Sequence, residues 1–520
     1  MSQSNKKLLR SSVSVASATM LSRILGLFRV MLIARVLGGG AVASAWYMAF
    51  MVPNLFRRLL GEGALGTALV PIVTRSLETH EREETKRAIA GIFVVLSTIL
   101  GLICILIAAG SMIFIDVPVT ERGKLTLHLL PLLVPYAFFM CLVGATGAVL
   151  NTLRVFFLPA LGALSLNIFM ILCLLLVCPM FTDEPVLQLR FLALSVLLSG
   201  AAQLSYNMII MKKYDLFPSF SPACLKSRWA LRELWVLILP GLAGAGAMQI
   251  SFFADRMLAY FLGPQAVPAL VYSDRLVYLP IGVIAVSFGT VLLPGMSAAA
   301  EKGDNQGIVD ALQLALRQML FVTIPIAVFT VVLGELLLRV IFLGGNFTES
   351  DLEATLWALR FYACGIPFFC TIKACVSAFY SRRDMKTPLK VSILCIVVNI
   401  TLNVILMFPL QQAGIALATV ISSLLNNVLL LVLLQRDIKI SIRIGSTVMT
   451  ILKSLIASAA AVTIAVMLYR NITLPAVVPF KNLVMLAMVG TVYGLVFIGG
   501  AAIIRCREVK EAFSIFLRES

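Results

Sequence analysis

About fourteen apolar stretches follow one another along 520 residues with only short polar connections between them. A helix needs about 20 apolar residues to cross the hydrocarbon layer. Because lipid offers backbone N–H and C=O groups no partner, only helices and closed barrels can span it. Ten-residue strands of alternating polarity are absent from the sequence, which removes the barrel. The stretches are centred at 8–37, 42–73, 88–115, 125–150, 157–180, 187–211, 231–262, 267–298, 310–343, 352–380, 388–409, 412–434, 448–469 and 481–504. With 60% hydrophobic and 13% charged residues and a mean hydropathy of +1.00, the chain lies outside the soluble globular range. The expected fold is an all-α integral membrane protein of about fourteen transmembrane helices. The longest loop, about twenty residues between Met211 and Arg232, leaves no room for a separate soluble domain.

Short cytoplasmic loops collect Lys and Arg. With an even number of spans and both termini inside, most loop cations fall on the cytoplasmic side, and only Arg122, Lys124, Arg190, Arg470 and Lys481 fall on the other. The net charge of +17 is then an orientation signal plus intramembrane arginines, leaving nothing for a nucleic-acid partner to explain. Lys6, Lys7 and Arg10 before an apolar run imitate a secretory signal, but Arg23 interrupts that run and no small-residue cleavage site closes it. The first span is therefore expected to be retained. The ten cysteines lie mostly inside apolar stretches without C-x-x-C spacing, as packing residues do.

An internal repeat is visible. Leu37-Gly38, Ala41-Val42 and Gly66-Thr67-Ala68-Leu69-Val70-Pro71 parallel Leu262-Gly263, Ala266-Val267 and Gly289-Thr290-Val291-Leu292-Leu293-Pro294 at nearly equal spacing. The copies are offset by six helices and so share one orientation. Two parallel six-helix lobes are expected, at 1–225 and 226–440, with two further helices in 441–520.

Arginines stand inside these spans. Arg23, Arg29 and Arg35 punctuate the first, which has no acidic residue, and Arg57, Arg58, Arg256 and Arg275 follow in later ones. A cation at bilayer depth costs at least ~2.5 kcal/mol, so it faces protein, water or an anionic guest. Arg23 lies about fifteen residues before the turn at Gly38 and Arg57 about sixteen after Ala41, which puts them at comparable depth; Asp255, Arg256, Asp274 and Arg275 flank the turn at Gly263 in the same way. Blander roles exist for some: Arg58 and Glu62 form an i, i+4 pair, Arg35 and Arg339 stand near helix ends, and Asp255 or Asp274 can neutralise an adjacent arginine. Gly26, Pro53, Gly61, Gly63, Pro240, Gly241, Gly244 and Gly246 predict bent or partly unwound helices lining a cavity.

Enzymatic chemistry finds no footing. The two histidines, His80 and His128, cannot assemble a metal site or a His-based triad. Gly61-Glu62-Gly63-Ala64-Leu65-Gly66 matches a dinucleotide fingerprint but lacks the strand that the motif needs. No cofactor motif and no feature naming a protein partner is present.

Leu21-Ser22-Arg23, Arg29, Pro53-Asn54-Leu55-Phe56-Arg57-Arg58, Glu62-Gly63-Ala64, Val70-Pro71-Ile72, Tyr272-Ser273-Asp274-Arg275-Leu276, Gly345-Asn346-Phe347-Thr348 and Phe379-Tyr380-Ser381-Arg382-Arg383-Asp384-Met385-Lys386-Thr387-Pro388 resemble, in order and spacing, the MurJ family of lipid II flippases. The resemblance runs to about residue 440, and the last two helices match by hydropathy and position. It implies a fourteen-helix transporter of the multidrug/oligosaccharidyl-lipid/polysaccharide exporter superfamily in the bacterial cytoplasmic membrane. Such a transporter moves the undecaprenyl-pyrophosphate-linked disaccharide-peptide between leaflets. Arg23, Arg29, Arg57 and Arg275 match family cavity arginines thought to engage the headgroup, and Ser22, Glu62 and Asp274 match neighbouring positions. Arg58, Asp255 and Arg256 stand as further candidates. The last two helices would supply a groove for the polyprenyl tail, and a small anion such as chloride suits the same arginines.

Three positions depart from the family pattern. Val30 and Ser44 stand where an acid is common, and Met51 stands where a lysine is common, which leaves the cavity more positive. The competing readings are an exporter of another lipid-linked oligosaccharide or of a cationic drug, which would favour acids and aromatics over arginines, and a membrane enzyme acting on polyprenyl phosphates.

Overall fold

The computed structural model describes residues 3–520 except 118–119, 156, 163, 222–223, 225–227, 439, 441–443, 473–480, 510 and 512–520; the side chains of 3–19, 62, 160, 228, 240, 243–245, 247–248, 285–294 and 444 also lie outside the description. The helices are α1 (Gln3–Leu37), α2 (Ala41–Phe56), α3 (Leu65–Thr79), α4 (Arg82–Ile113), α5 (Glu121–Leu133), α6 (Pro135–Thr152), α7 (Phe157–Gly162), α8 (Ser165–Leu172), α9 (Pro185–Lys213), α10 (Arg228–Leu262), α11 (Ala266–Glu301), α12 (Asn305–Ile341), α13 (Glu349–Cys364), α14 (Ile366–Ser381), α15 (Lys386–Leu410), α16 (Gln412–Ile438), α17 (Ile444–Asn471) and α18 (Lys481–Ile503). No strand occurs among the described residues.

These helices run through the fourteen stretches read from the sequence. Ten helices or joined helix pairs among the described residues are long and apolar enough to cross a membrane. Of the other four stretches, 8–37 and 231–262 are helical but fall partly outside the described side chains, 42–73 is divided by a π-helical segment, and 157–180 is divided into short pieces. Only 22% of the apolar window of α18 and 28% of that of α4 is buried. The remaining apolar surface of such helices is what lipid solvates.

The chain divides into two compact units, Met1–Arg256 and Met257–Ser520, with the division inside α10. In the first unit, Trp46, Leu133, Tyr136, Leu192 and Val196 centre one apolar cluster, and Leu65, Leu69, Ile72, Ile89 and Phe93 centre another. In the second, Ala457, Ala461 and Ala465 form a small-residue stripe on α17 against Val489, Tyr493 and Phe497 of α18 and Leu333 and Leu336 of α12. Small residues at i, i+4 and i+8 let membrane helices approach closely, where packing rather than water expulsion drives association. Below this stripe Arg317 of α12 pairs with Glu508 at 3.1 Å and Glu511 at 2.8 Å, and Thr450 of α17 donates to Glu508 at 2.7 Å.

The repeat shows in the backbone. Helix α1 ends at Leu37 and α10 at Leu262; Gly38 (φ 74°) and Gly263 (φ 147°) follow; α2 and α11 then begin at Ala41 and Ala266. Both turns use a left-handed residue that glycine adopts without a Cβ penalty. The copies differ: α11 is α-helical throughout, whereas its counterpart passes through the π-helical segment Arg57–Ala64 before α3.

Two of the quoted motifs build turns. Gly344 (φ 125°) and Gly345 (φ 58°) fold back through an isolated bridge between Gly344 and Phe347, and Thr348 opens α13 with a capping box whose partner is Asp351. Asp384 accepts from the N–H groups of Lys386 and Thr387 at 3.0 Å each, starting α15, while Arg382 pairs with Asp437.

Candidate functional site

The predicted distortion falls on one helix. Between α2 and α3 the residues Arg57–Ala64 form a π-helix, with the Leu65 N–H bonded to the Leu60 carbonyl. Pro53 removes a backbone donor just before it, and Gly61 and Gly63 hold a regular helix weakly, so the wider turn is inexpensive here. Helices α1 and α10, expected to bend or partly unwind around their glycines and Pro240, do not unwind: each is continuous helix across those residues. A lone glycine such as Gly26 lowers helix propensity without removing a donor, whereas Pro240 removes one and the bonds of the neighbouring residues carry α10 across it.

Two neighbours grip the π segment. Against α6, a Cβ on Gly144 would stand 2.5 Å from Gly61 Cα, and one on Gly61 would stand 3.0 Å from the Met140 carbonyl oxygen. Against α10, a Cβ on Gly241 would stand 3.2 Å from Ala64 Cα. Absent side chains on Gly144 and Gly241 therefore let α6 and α10 close on the segment that carries Arg57 and Arg58.

The arginines of the first unit are anchored differently. Arg57 Nε donates to Asn54 Oδ1 at 3.0 Å, one turn earlier. Arg58 Nη1 reaches Gln249 Oε1 at 3.5 Å, and its Cζ lies 5.0 Å from the centroid of the Phe252 ring. Arg256 Cζ lies 4.8 Å from the same centroid. Gln249, Phe252 and Arg256 are spaced i, i+3 and i+7 along α10 and so share one face. Beside them a small recess is lined by Met51, Asn54, Leu55, Gln249, Phe252 and Phe253.

On α1, Arg29 is 9% exposed and Arg23 is half-buried. Asn167 of α8 donates through Nδ2 to Ser22 O at 3.2 Å and to Ser22 Oγ at 3.4 Å, fixing the turn that carries Arg23. Gly26, one turn on, faces the same amide, and a Cβ there would stand 3.9 Å from Asn167 Oδ1, an ordinary contact. Asp255 and Arg256 are buried, the latter at 3% exposure. In the second unit Asp274 and Arg275 are half-buried on α11, behind Ser273, whose buried Oγ donates to the Thr355 carbonyl at 3.0 Å. The Glu62 side chain lies outside the described residues.

The structure thus brings Arg58 and Arg256 together around Phe252 and ties Ser22 to Asn167. Sequence reading missed Asn167, Gln249 and Phe252, which are unremarkable within their own helices; a polar residue inside each apolar stretch was the available signal for the first two. Val30, Ser44 and Met51 are all buried, and Met51 lines the recess beside Phe252. The dinucleotide-like glycines Gly61 to Gly66 lie in continuous helical backbone. All ten cysteines are free thiols, eight of them buried.

A sequence model of the family "Lipid II flippase MurJ" matches residues 33–488. The "Probable lipid II flippase MurJ" of Vibrio cholerae is 31% identical over 439 residues, covering 81% of this chain and 82% of that protein. The protein of the same description from Rhizobium tropici is 32% identical, covering 80% and 78%. A solved structure described as lipid II flippase MurJ in an inward closed conformation superposes with a TM-score of 0.76 at 25% identity, covering 93% of this chain and 98% of that one. An inward-facing multidrug resistance MATE transporter of the MOP superfamily shares the fold, with a TM-score of 0.68 at 15% identity over 81% of this chain and 98% of that one. The chain belongs to the lipid II flippase MurJ family.

Proposed function

We propose that this multi-pass bacterial inner-membrane protein flips the lipid-linked peptidoglycan precursor, an undecaprenyl-pyrophosphate-linked disaccharide-peptide, from the inner to the outer leaflet by alternating access. The carrying observation is the set of arginines kept on membrane-spanning helices, Arg29 and Arg256 among them buried, in a chain of this family. A multiply charged diphosphate cannot cross hydrocarbon unaided. Guanidinium groups in a wet hollow substitute for its hydration through charge-assisted bonds while the tail stays in lipid.

In this reading Arg23, Arg29, Arg57 and Arg275 contact the headgroup, with Ser22, Glu62 and Asp274 beside them and Arg58, Asp255 and Arg256 in support. Lobes 1–225 and 226–440 rock about that site, and 441–520 accommodates the polyprenyl tail. Both termini are cytoplasmic, by the loop charges. A small anion such as chloride suits the same guanidinium groups. The protein is a transporter without cofactor or catalysed reaction. Conditional depletion tests this: precursor should accumulate in the inner leaflet while its synthesis continues, and unchanged outer-leaflet precursor after depletion would remove the proposal.

A further inference from the structure

Resting on the reading of a headgroup carried past intramembrane cations, we propose that Arg360 of α13 and Lys373 of α14 are two further contacts for its diphosphate, on one water-facing stripe. The stripe is what packing leaves over. Joined at Gly365, α13 and α14 have 61% of their apolar window buried and pack against α11, α12 and α16. The uncovered residues recur every three or four positions or a multiple of that: Trp357, Cys364, Lys373 and Tyr380 are exposed, with Arg360 and Ser377 half-buried between them. By contrast α15, in the same unit, exposes Ile393, Leu394, Val397 and Ile405 and buries Asn399 and Asn403, as a lipid-facing helix does. Two cations, a thiol and a hydroxyl on the stripe of α13 and α14 suit water and not hydrocarbon. Glu353 shares the stripe two turns before Arg360; among the described residues no ion pair joins the two, and none holds Lys373.

Depth connects these cations to Arg275. Gln265, just before α11, donates to Asp351 in the first turn of α13 at 2.9 Å, so the two helices start level. Arg275 follows Gln265 by ten residues and Arg360 follows Asp351 by nine, which places each about 15 Å along its helix. Farther on, the exposed Tyr278 of α11 stacks on Phe369 of α14 at 6.0 Å. Tyr278 lies one turn after Arg275 and Phe369 one turn before Lys373, so the faces that carry the two cations adjoin. Lys373 stands thirteen residues, about 20 Å, beyond Arg360 and eight before the end of α14 at Ser381. Helical side chains lean toward the helix N-terminus, which turns Lys373 away from that nearer end, the reverse of what snorkelling to the surface requires. A passing anion therefore meets cations at two levels, and separated sites of moderate strength let it move on where one deep cluster would retain it.

The free thiol of Cys364, exposed one turn after Arg360, allows the test to be made on the full-length wild-type protein in phosphatidylcholine nanodiscs. A negatively charged methanethiosulfonate reagent should modify Cys364, read as the labelling lost in Cys364→Ser. Undecaprenyl pyrophosphate should slow that modification about fivefold, and phosphatidylglycerol at the same concentration should not. In parallel, Arg360→Met and Lys373→Met should each weaken binding of undecaprenyl pyrophosphate about tenfold, the worth of one charge-assisted bond, at an unchanged melting temperature, with Lys373→Arg within about twofold of wild type. No modification of Cys364, modification that the diphosphate lipid leaves unchanged, equal protection by phosphatidylglycerol, or folded methionine variants that bind like wild type overturns the proposal. Should both methionine variants melt early, the labelling, read on the wild-type chain, decides alone. Arg29→Ala in the binding assay separates the two levels. If it loses binding while the methionine variants do not, only the stripe fails; if all three bind like wild type, the arginine-lined site fails with it.

Discussion

Gly61, within the π segment, and Gly144, on α6, lie against each other with no room for a side chain: a Cβ on Gly144 would stand 2.5 Å from Gly61 Cα. Gly144→Ala should therefore destabilise the protein by about 1–3 kcal/mol, the usual cost of overpacking, and reduce transport by shifting Arg57 and Arg58. Gly147→Ala on the same helix meets nothing within 4 Å and should be neutral. Thermal melting in detergent checks the pair; equal melting temperatures would show that the close approach relaxes freely.

Asn167 tethers the turn of Ser22 through two bonds, to the carbonyl and to the hydroxyl. Asn167→Leu removes both and should lower transport several-fold with a stability loss of about 1 kcal/mol. Ser22→Ala keeps the carbonyl bond and should be milder. A leaflet-accessibility assay on both variants gives the order, and a Ser22→Ala defect larger than that of Asn167→Leu points instead to a direct role for the hydroxyl.

Glu508, at 5% exposure, is held by Arg317 and Thr450. Removing one member of a buried pair strands the other, at a typical cost of about 3–5 kcal/mol, while replacing both by apolar residues is often neutral. Arg317→Met leaves the buried Glu508 without its cation and should lower the melting temperature clearly, and Arg317→Met with Glu508→Leu should recover most of it. A double variant as unstable as the single one would contradict a pairwise clasp between α12 and the segment after α18.

At the start of α4 Lys86 donates to Asp215 at 2.6 Å, and the Arg82 guanidinium donates to the Tyr214 carbonyl at 2.6 Å. The hydrogen bond from Lys86 holds the Asp215 carboxyl below its ordinary range, and the same bond raises the lysine. A lowered carboxyl contributes only above its unfolded value and is lost as pH falls through the folded one; a raised lysine contributes below its unfolded value and is lost as pH rises through the folded one. The tether should therefore hold between about pH 4 and pH 10. Hydrogen exchange of the backbone around Tyr214, compared between wild type and Asp215→Asn, should differ inside that window and converge in acid.

Much of the fold could be read before any coordinates. The helix ends at Leu37 and Leu262 and the starts at Ala41 and Ala266 follow from apolar runs broken by Gly-containing turns, because backbone satisfaction in lipid leaves no other solution. What escaped depends on contacts between distant segments. Pro53 and paired glycines announce some distortion, but whether the chain bends, unwinds or widens by one residue per turn is decided by Gly144 and Gly241 pressing on it. Phe252 reads as one more apolar residue until Arg58 arrives from 194 positions earlier. Glu508 reads as part of a charged tail, and its burial comes from Arg317, far away in sequence.

Single alanine replacements of Arg23, Arg29 and Arg275, each scored for precursor reaching the outer leaflet and for protein abundance, test the arginine-lined site most directly. Loss of flipping at unchanged abundance is expected in each, and full activity in all three would contradict it.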